Sequence, residues 1–240
     1  MNEDTRLKEW FVPKFGPLKF RIFIGLLFLP YTGMCVSFTV FGSLIATRVL
    51  WERVGAIALI YGLALGISAH ALDSIGSKQI KPWGYYYSKQ FLWLLAISSL
   101  LVAYSIGIYY MILYVPLLWL ISILEGFFIF AYNFELFKGY FHNDFWFSIS
   151  WGVLPVLSGY IMQTNSIGLI PLVAAAITGT LSYSEIKISR SYKELKRSGQ
   201  NDNLSKQIEA KRLERYLKII SLGTIVFAVA ICVYRSALIS

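Results

Sequence analysis

Residues 91–124 read FLWLLAISSLLVAYSIGIYYMILYVPLLWLISIL, a run of 34 positions without a charged side chain. A helix crosses the bilayer core with about 20 apolar residues, so a single helix of this length overshoots it. The run therefore holds most of two spans, and a tight turn is expected near Gly107 to Tyr110. A second uncharged run, Ile22 to Thr47, covers 26 residues. The whole chain of 240 residues is 57% hydrophobic, 17% aromatic and 15% charged. These values describe an all-α, polytopic transmembrane helical bundle and leave no room for an aqueous domain.

Working outward, seven spans are expected at roughly 22–46, 54–71, 91–108, 111–131, 146–163, 167–183 and 216–235 of a single domain. The opening MNEDTRLKEWFVPKFGPLKFR is mixed in charge and lacks a small-residue cleavage pattern, so Ile22 to Ala46 is expected to be a retained helix rather than a leader. The basic residues divide unevenly. Five lie in the N-terminal arm, Lys78, Lys81 and Lys89 follow span two, Lys138 follows span four, and ten fall between Lys187 and Lys218. Only Arg48, Arg53 and Arg235 remain for the other face, which predicts a cytoplasmic N-terminus, an external C-terminus and a cytoplasmic basic loop over 184–215.

The net charge of +9 is accounted for by this topology and by anionic lipid headgroups, which excludes nucleic acid as the expected partner. Cys35 and Cys232 fall inside separate spans without metal-site spacing, and are read as reduced packing residues. The stretch RSGQNDNL, Arg197 to Leu204, is the only linker-like segment, and its flanks, 189–197 and 205–218, carry the pattern of surface helices.

Charge is expensive in lipid, so ionisable groups in or at the ends of spans carry the functional information. SAHALDSIGSKQIKPWG, residues 68–84, places His70 and Asp73 one turn apart on one helix face if the helix continues through Asp73. AYNFELFKGYFHNDFWFSISWGVLPVLSGY, residues 131–160, packs Asn133, Glu135, His142 and Asp144 between aromatic residues. Imidazole with carboxylate suits a transition metal, whereas carboxylates with Asn suit Mg²⁺ on a phosphorylated ligand. Each residue also has a plain structural use: Asn143 and Asp144 as caps of span five, Phe141, Phe145 and Trp146 as interfacial aromatics. Spans two and four end on the same face, so these groups can line one cytoplasm-facing cavity. Glu125, deeper in span four, either extends that cavity or is hydrogen-bonded to a Ser or Tyr of a neighbouring helix. In SYSEIKISRSYKELKRSG, residues 182–199, Arg190, Lys193, Lys196 and Arg197 recur near helical spacing with Tyr192 among them. They form either a phosphate clamp or a face lying on anionic lipid.

This arrangement resembles the UbiA superfamily of intramembrane aromatic prenyltransferases. SAHALDSIGS sits where that family has NDxxDxxxD; aligned on Asp73, the other motif positions are Ala69, His70 and Ser77. KQIKPWGYYYSKQ is similar to the basic, Pro-containing connection into span three, Tyr132 to Lys138 with WGVLPVLSGY to the end of span four and the Gly-rich span five, and SYSEIKISRSYKEL occupies the place of the second aspartate motif. One acid of the first motif is kept. The second motif has Glu185 and Glu194 as its nearest carboxylates, and the chain has seven spans where the family usually has nine.

The resemblance implies a helical bundle that binds Mg²⁺ or another divalent ion and a polyprenyl diphosphate, and delivers the prenyl chain to an acceptor in a lipid-open cavity. On that basis His70, Asp73, Glu135, His142 and Asp144 are the expected catalytic and metal-binding residues. Asn133, Lys138, Arg190, Lys193, Tyr192 and Glu125 are expected to contact substrate. Two other readings fit the same residues: a non-catalytic lipid- or quinone-binding relative or membrane-complex subunit, and a small transporter using Glu125 and the histidines as a proton path.

Overall fold

Seven helices follow the apolar segments in the computed structural model, which describes residues 6–76, 83, 86–197 and 204–237. They are α1 (Leu18–Ile45), α2 (Trp51–Gly76), α3 (Lys89–Leu113), α4 (Leu118–Asn133), α5 (Asp144–Thr164), α6 (Leu169–Arg197) and α7 (Leu204–Ala237). No strand occurs among the described residues. Six of these helices are long and apolar enough to cross a membrane. The exception is α4, whose 16 residues reach about 24 Å at 1.5 Å per residue. Ser77, Lys78 and Lys81 of the predicted α2–α3 loop, and residues 198–203 of the linker, lie outside the described residues.

Two boundaries differ from the sequence expectation. The turn in the 34-residue run falls at Tyr114 to Leu117, not at Gly107 to Tyr110, because nothing at Gly107 stops a helix. The residue before Pro116 is steered out of the α region, and Pro116 itself cannot donate. The expected basic loop over 184–215 is largely helix, because Ser182 to Arg197 contains neither Gly nor Pro and carries Lys, Arg, Glu and Ile throughout. The spans of α6 and α7 simply continue past the apolar region.

Helix α1 is broken at Phe28, which sits in the left-handed region (φ 45°), two residues before Pro30. Thr32 Oγ1 donates to the Leu27 carbonyl at 2.7 Å and satisfies one acceptor freed by the break. Below it, α1 crosses α5 closely enough for Ser43 Oγ to reach the Gly159 carbonyl at 3.1 Å. A Cβ at Gly42 would fall on the Val156 carbonyl oxygen and one at Gly159 on that of Thr39, so the two glycines permit the crossing. Helix α7 packs against α1 and α6, and α3 packs against α2. Leu94, Leu101, Ile112, Ile123, Val226 and Val233 point outward, as expected for side chains facing lipid.

Two stretches are π-helical: Ala64–Ala69 in α2 and Ile149–Val153 in α5. A π turn inserts one extra residue and shifts the register of everything after it. Here it sets the aim of His70 in α2 and holds Ser150 and Trp151 in α5.

Candidate functional site

A cavity of about 320 Å³ opens at the end of the bundle where α2 and α4 stop and α5 begins. Helix α2 continues unbroken through Asp73, so His70 and Asp73 share a face and both reach this cavity. Gly76 lets the end of α2 lie on the end of α4, since a Cβ there would fall on the Asn133 carbonyl oxygen. Asp73 and Asn133 line the same cavity, and Asn133 Nδ2 donates to the Ile129 carbonyl at 2.7 Å. The next segment winds tightly: Glu135, Phe137 and Lys138 all have positive φ (48°, 53° and 58°), an uncommon backbone for such residues. That winding turns Glu135 into the cavity and Lys138 out to the surface.

His70 stacks on Phe28 with centroids 4.7 Å apart and lies 5.3 Å from Trp151. Its Nε2 is 3.4 Å from Thr32 Oγ1. That hydroxyl already donates to Leu27, so Nε2 carries the proton and the ring lone pair is on Nδ1. His142 donates from Nδ1 to the Tyr132 carbonyl at 2.9 Å. Asn143 caps α5 by accepting from the Trp146 N–H at 3.1 Å, as expected from the sequence. Asp144 is at the rim, paired through Oδ1 with Arg190 Nε at 2.8 Å, and Arg190 also approaches Tyr132 Oη at 3.4 Å.

The wall opposite is α6. Glu185, Ser189 and Lys193 recur at intervals of four and line the cavity together with Arg190. Tyr192 is on another face of the same helix. It is buried against α7, donating from Oη to Glu214 at 3.0 Å, and is not part of the cavity wall. Glu125 is not part of it either: Tyr61 Oη and Ser150 Oγ donate to its two oxygens at 2.9 and 2.6 Å.

Of the eleven sequence-predicted site residues, the cavity collects His70, Asp73, Asn133, Glu135, His142, Arg190 and Lys193, with Asp144 at its rim. Arg6 of the N-terminal arm was not among them, yet lines the cavity. Its guanidinium lies 5.4 Å from the Phe28 ring centroid. Glu185 was visible only as the nearest acid to the degenerate second motif. The arm itself is held by Glu9 to Lys196 (3.2 Å), Lys218 over Trp10 (5.3 Å) and Arg21 Nε donating to the Pro13 carbonyl (2.6 Å).

The cavity walls carry both signs, with Arg6, Arg190 and Lys193 facing Asp73, Glu135 and Glu185, and Asp144 paired to Arg190 at the rim. Among the described residues no three His, Cys, Asp or Glu side chains come together to hold a metal ion by themselves. His142 is turned to a carbonyl, Asp144 to Arg190, and His70 to an aromatic slot. Asp73, Glu135 and Asn133 carry the donor atom types that suit Mg²⁺ held mainly by a ligand's phosphates. They do not make a protein-only cage.

These features define a multi-pass helical membrane protein with a polar, aromatic-walled cavity at one end of its bundle. No known family model, curated protein or solved structure matches the chain.

Proposed function

We propose that the chain is a UbiA-like integral membrane prenyltransferase that takes a polyprenyl diphosphate at this cavity, with the N-terminus and the cavity mouth on the cytoplasmic side. The observation carrying this reading is the meeting, in one bundle-end cavity, of three carboxylates, three cations and several aromatic side chains. Arg190, Lys193 and Arg6 hold the diphosphate by charge-assisted hydrogen bonds. Asp73, Glu135 and Asn133 are the residues that would hold Mg²⁺. That ion supplies charge neutralisation to the departing diphosphate.

The facing carboxylates explain why a divalent ion belongs here. A bare diphosphate adds negative charge to walls whose cations already face carboxylates, and such charge in a poorly solvated site is costly. Phe28, Phe147 and Trp151 line the cavity, where their rings would shield positive charge developing on the allylic carbon. The apolar tail would leave the cavity between helices towards lipid.

The test is binding of geranylgeranyl diphosphate to the detergent-solubilised protein, with and without Mg²⁺, for the wild type and Asp73→Ala. Metal-dependent binding that is lost in a folded Asp73→Ala variant is the expected result. Equal binding by both proteins would remove Asp73 from the site, and no binding by either would remove the prenyl diphosphate.

A further inference from the structure

Glu125 is buried at 8% exposure in an otherwise apolar helix, where a carboxylate is costly and calls for a use. It is built into three helices at once: Tyr61 of α2 donates to Oε1 at 2.9 Å and Ser150 of α5 donates to Oε2 at 2.6 Å. Ser150 also lines the polar cavity, whereas Glu125 does not. Glu125 instead borders a second, apolar cavity of about 50 Å³ between α2, α3 and α4, beside Tyr104, Gly107 and Met111. Leu65 and Ile129 form a wall common to both cavities. Past that wall, Ser150 lines the polar cavity while its hydroxyl donates to the buried carboxylate.

A hydroxyl both donates and accepts, so the Ser150 link can pass a proton in either direction, which an amide at position 125 could not receive. The titratable groups packed around Glu125 are Tyr61 of α2, Cys35 of α1 and Tyr104 of α3. Tyr104 donates its hydroxyl to the Ser122 carbonyl at 3.0 Å, and Tyr61 is committed to Oε1. That leaves Oε2, on the Ser150 side, as the oxygen open to proton exchange.

We propose that Ser150 and Glu125 form a proton relay serving the polar cavity. A proton released by a group bound against Ser150 passes to Ser150 Oγ as the hydroxyl's own proton passes to Glu125 Oε2. Glu125 becomes a neutral acid still held by Tyr61, and the reverse transfer returns the proton to cavity water. The use of the relay rests on the prenyl-transfer reading. The C–O bond of the donor breaks with its electron pair leaving on the diphosphate, the prenyl carbon bonds to the acceptor, and the acceptor's displaced proton is the one Glu125 takes.

The relay is tested without turnover by infrared spectroscopy of the full chain in nanodiscs, following carboxyl C=O bands through a pH titration and on transfer to heavy water. The wild type is expected to show a buried carboxyl band that titrates and exchanges. That band should be missing in Glu125→Gln, exchange an order of magnitude more slowly in Ser150→Ala, and recover in Ser150→Thr. A wild type without such a band, or unchanged exchange in Ser150→Ala, overturns the relay. Geranylgeranyl diphosphate binding by the wild type is read in the same samples. Its absence would overturn the prenyl reading while the infrared result judges the relay separately.

Discussion

At the scale of residues, the cavity is a set of opposed charges whose individual removal has opposite signs. Arg190 contributes charge-assisted hydrogen bonds to a phosphate, each worth about 1.5–3 kcal/mol, so Arg190→Gln should weaken diphosphate affinity by roughly tenfold to a hundredfold. Asp144→Asn removes the partner that competes with the ligand for Arg190 and should strengthen binding. Titration calorimetry on both variants checks the pair. The side chains are 39% and 25% exposed, so stability should change by less than about 1 kcal/mol in either case. His70, Asp73, Asn133, Glu135 and His142 were legible beforehand because helix spacing and a short loop bring them to one membrane face. Arg6 was not: no local pattern says that an arm will fold back over the bundle. Lys138 and Tyr192 misled for a related reason, since a left-handed backbone and one step around a helix turned them away.

Elements are positioned by small residues and by the arm. At the α1–α5 crossing, Gly159→Ala sets a methyl on the Thr39 carbonyl oxygen, and the helices must separate. Overpacking of this kind costs about 1–3 kcal/mol, and a rigid backbone acceptor puts this site at the upper end. A fall in the thermal midpoint of the purified protein is the check. Gly76→Ala acts on the α2–α4 contact instead. It should lower stability less than Gly159→Ala and diphosphate affinity more, because it displaces Asp73. The arm is fastened to α6 and α7 by Glu9–Lys196 and Trp10–Lys218. Trp10→Ala should speed amide hydrogen exchange in residues 6–12 and reduce affinity through Arg6, with a stability cost of about 0.5–3 kcal/mol. The two π turns had no signature in the sequence. Both lie where helices pack closely, with Gly66 against Thr32 and Gly152 against the Thr178 carbonyl.

For the whole molecule, seven helices put the two termini on opposite faces if α4 crosses despite its length. The distribution of Lys and Arg then predicts that the cavity opens to the cytoplasm. In a Cys232→Ser background, Lys138→Cys should react with an impermeant maleimide only from the cytoplasmic side, and Arg48→Cys only from outside. Cys35 is buried and should stay silent. Reversed labelling would place the cavity on the external face.

The sequence by itself determined that this is a helical membrane protein, where most of its spans lie, and which end of the bundle gathers the polar residues. Those follow from apolar length and charge distribution, which act locally along the chain. Only the tertiary structure decided that the arm supplies Arg6, that the carboxylates and cations face one another across one cavity, and that Ser150 joins Glu125 to it. These depend on helix crossings and register shifts between segments far apart in the chain, and no local spacing encodes them.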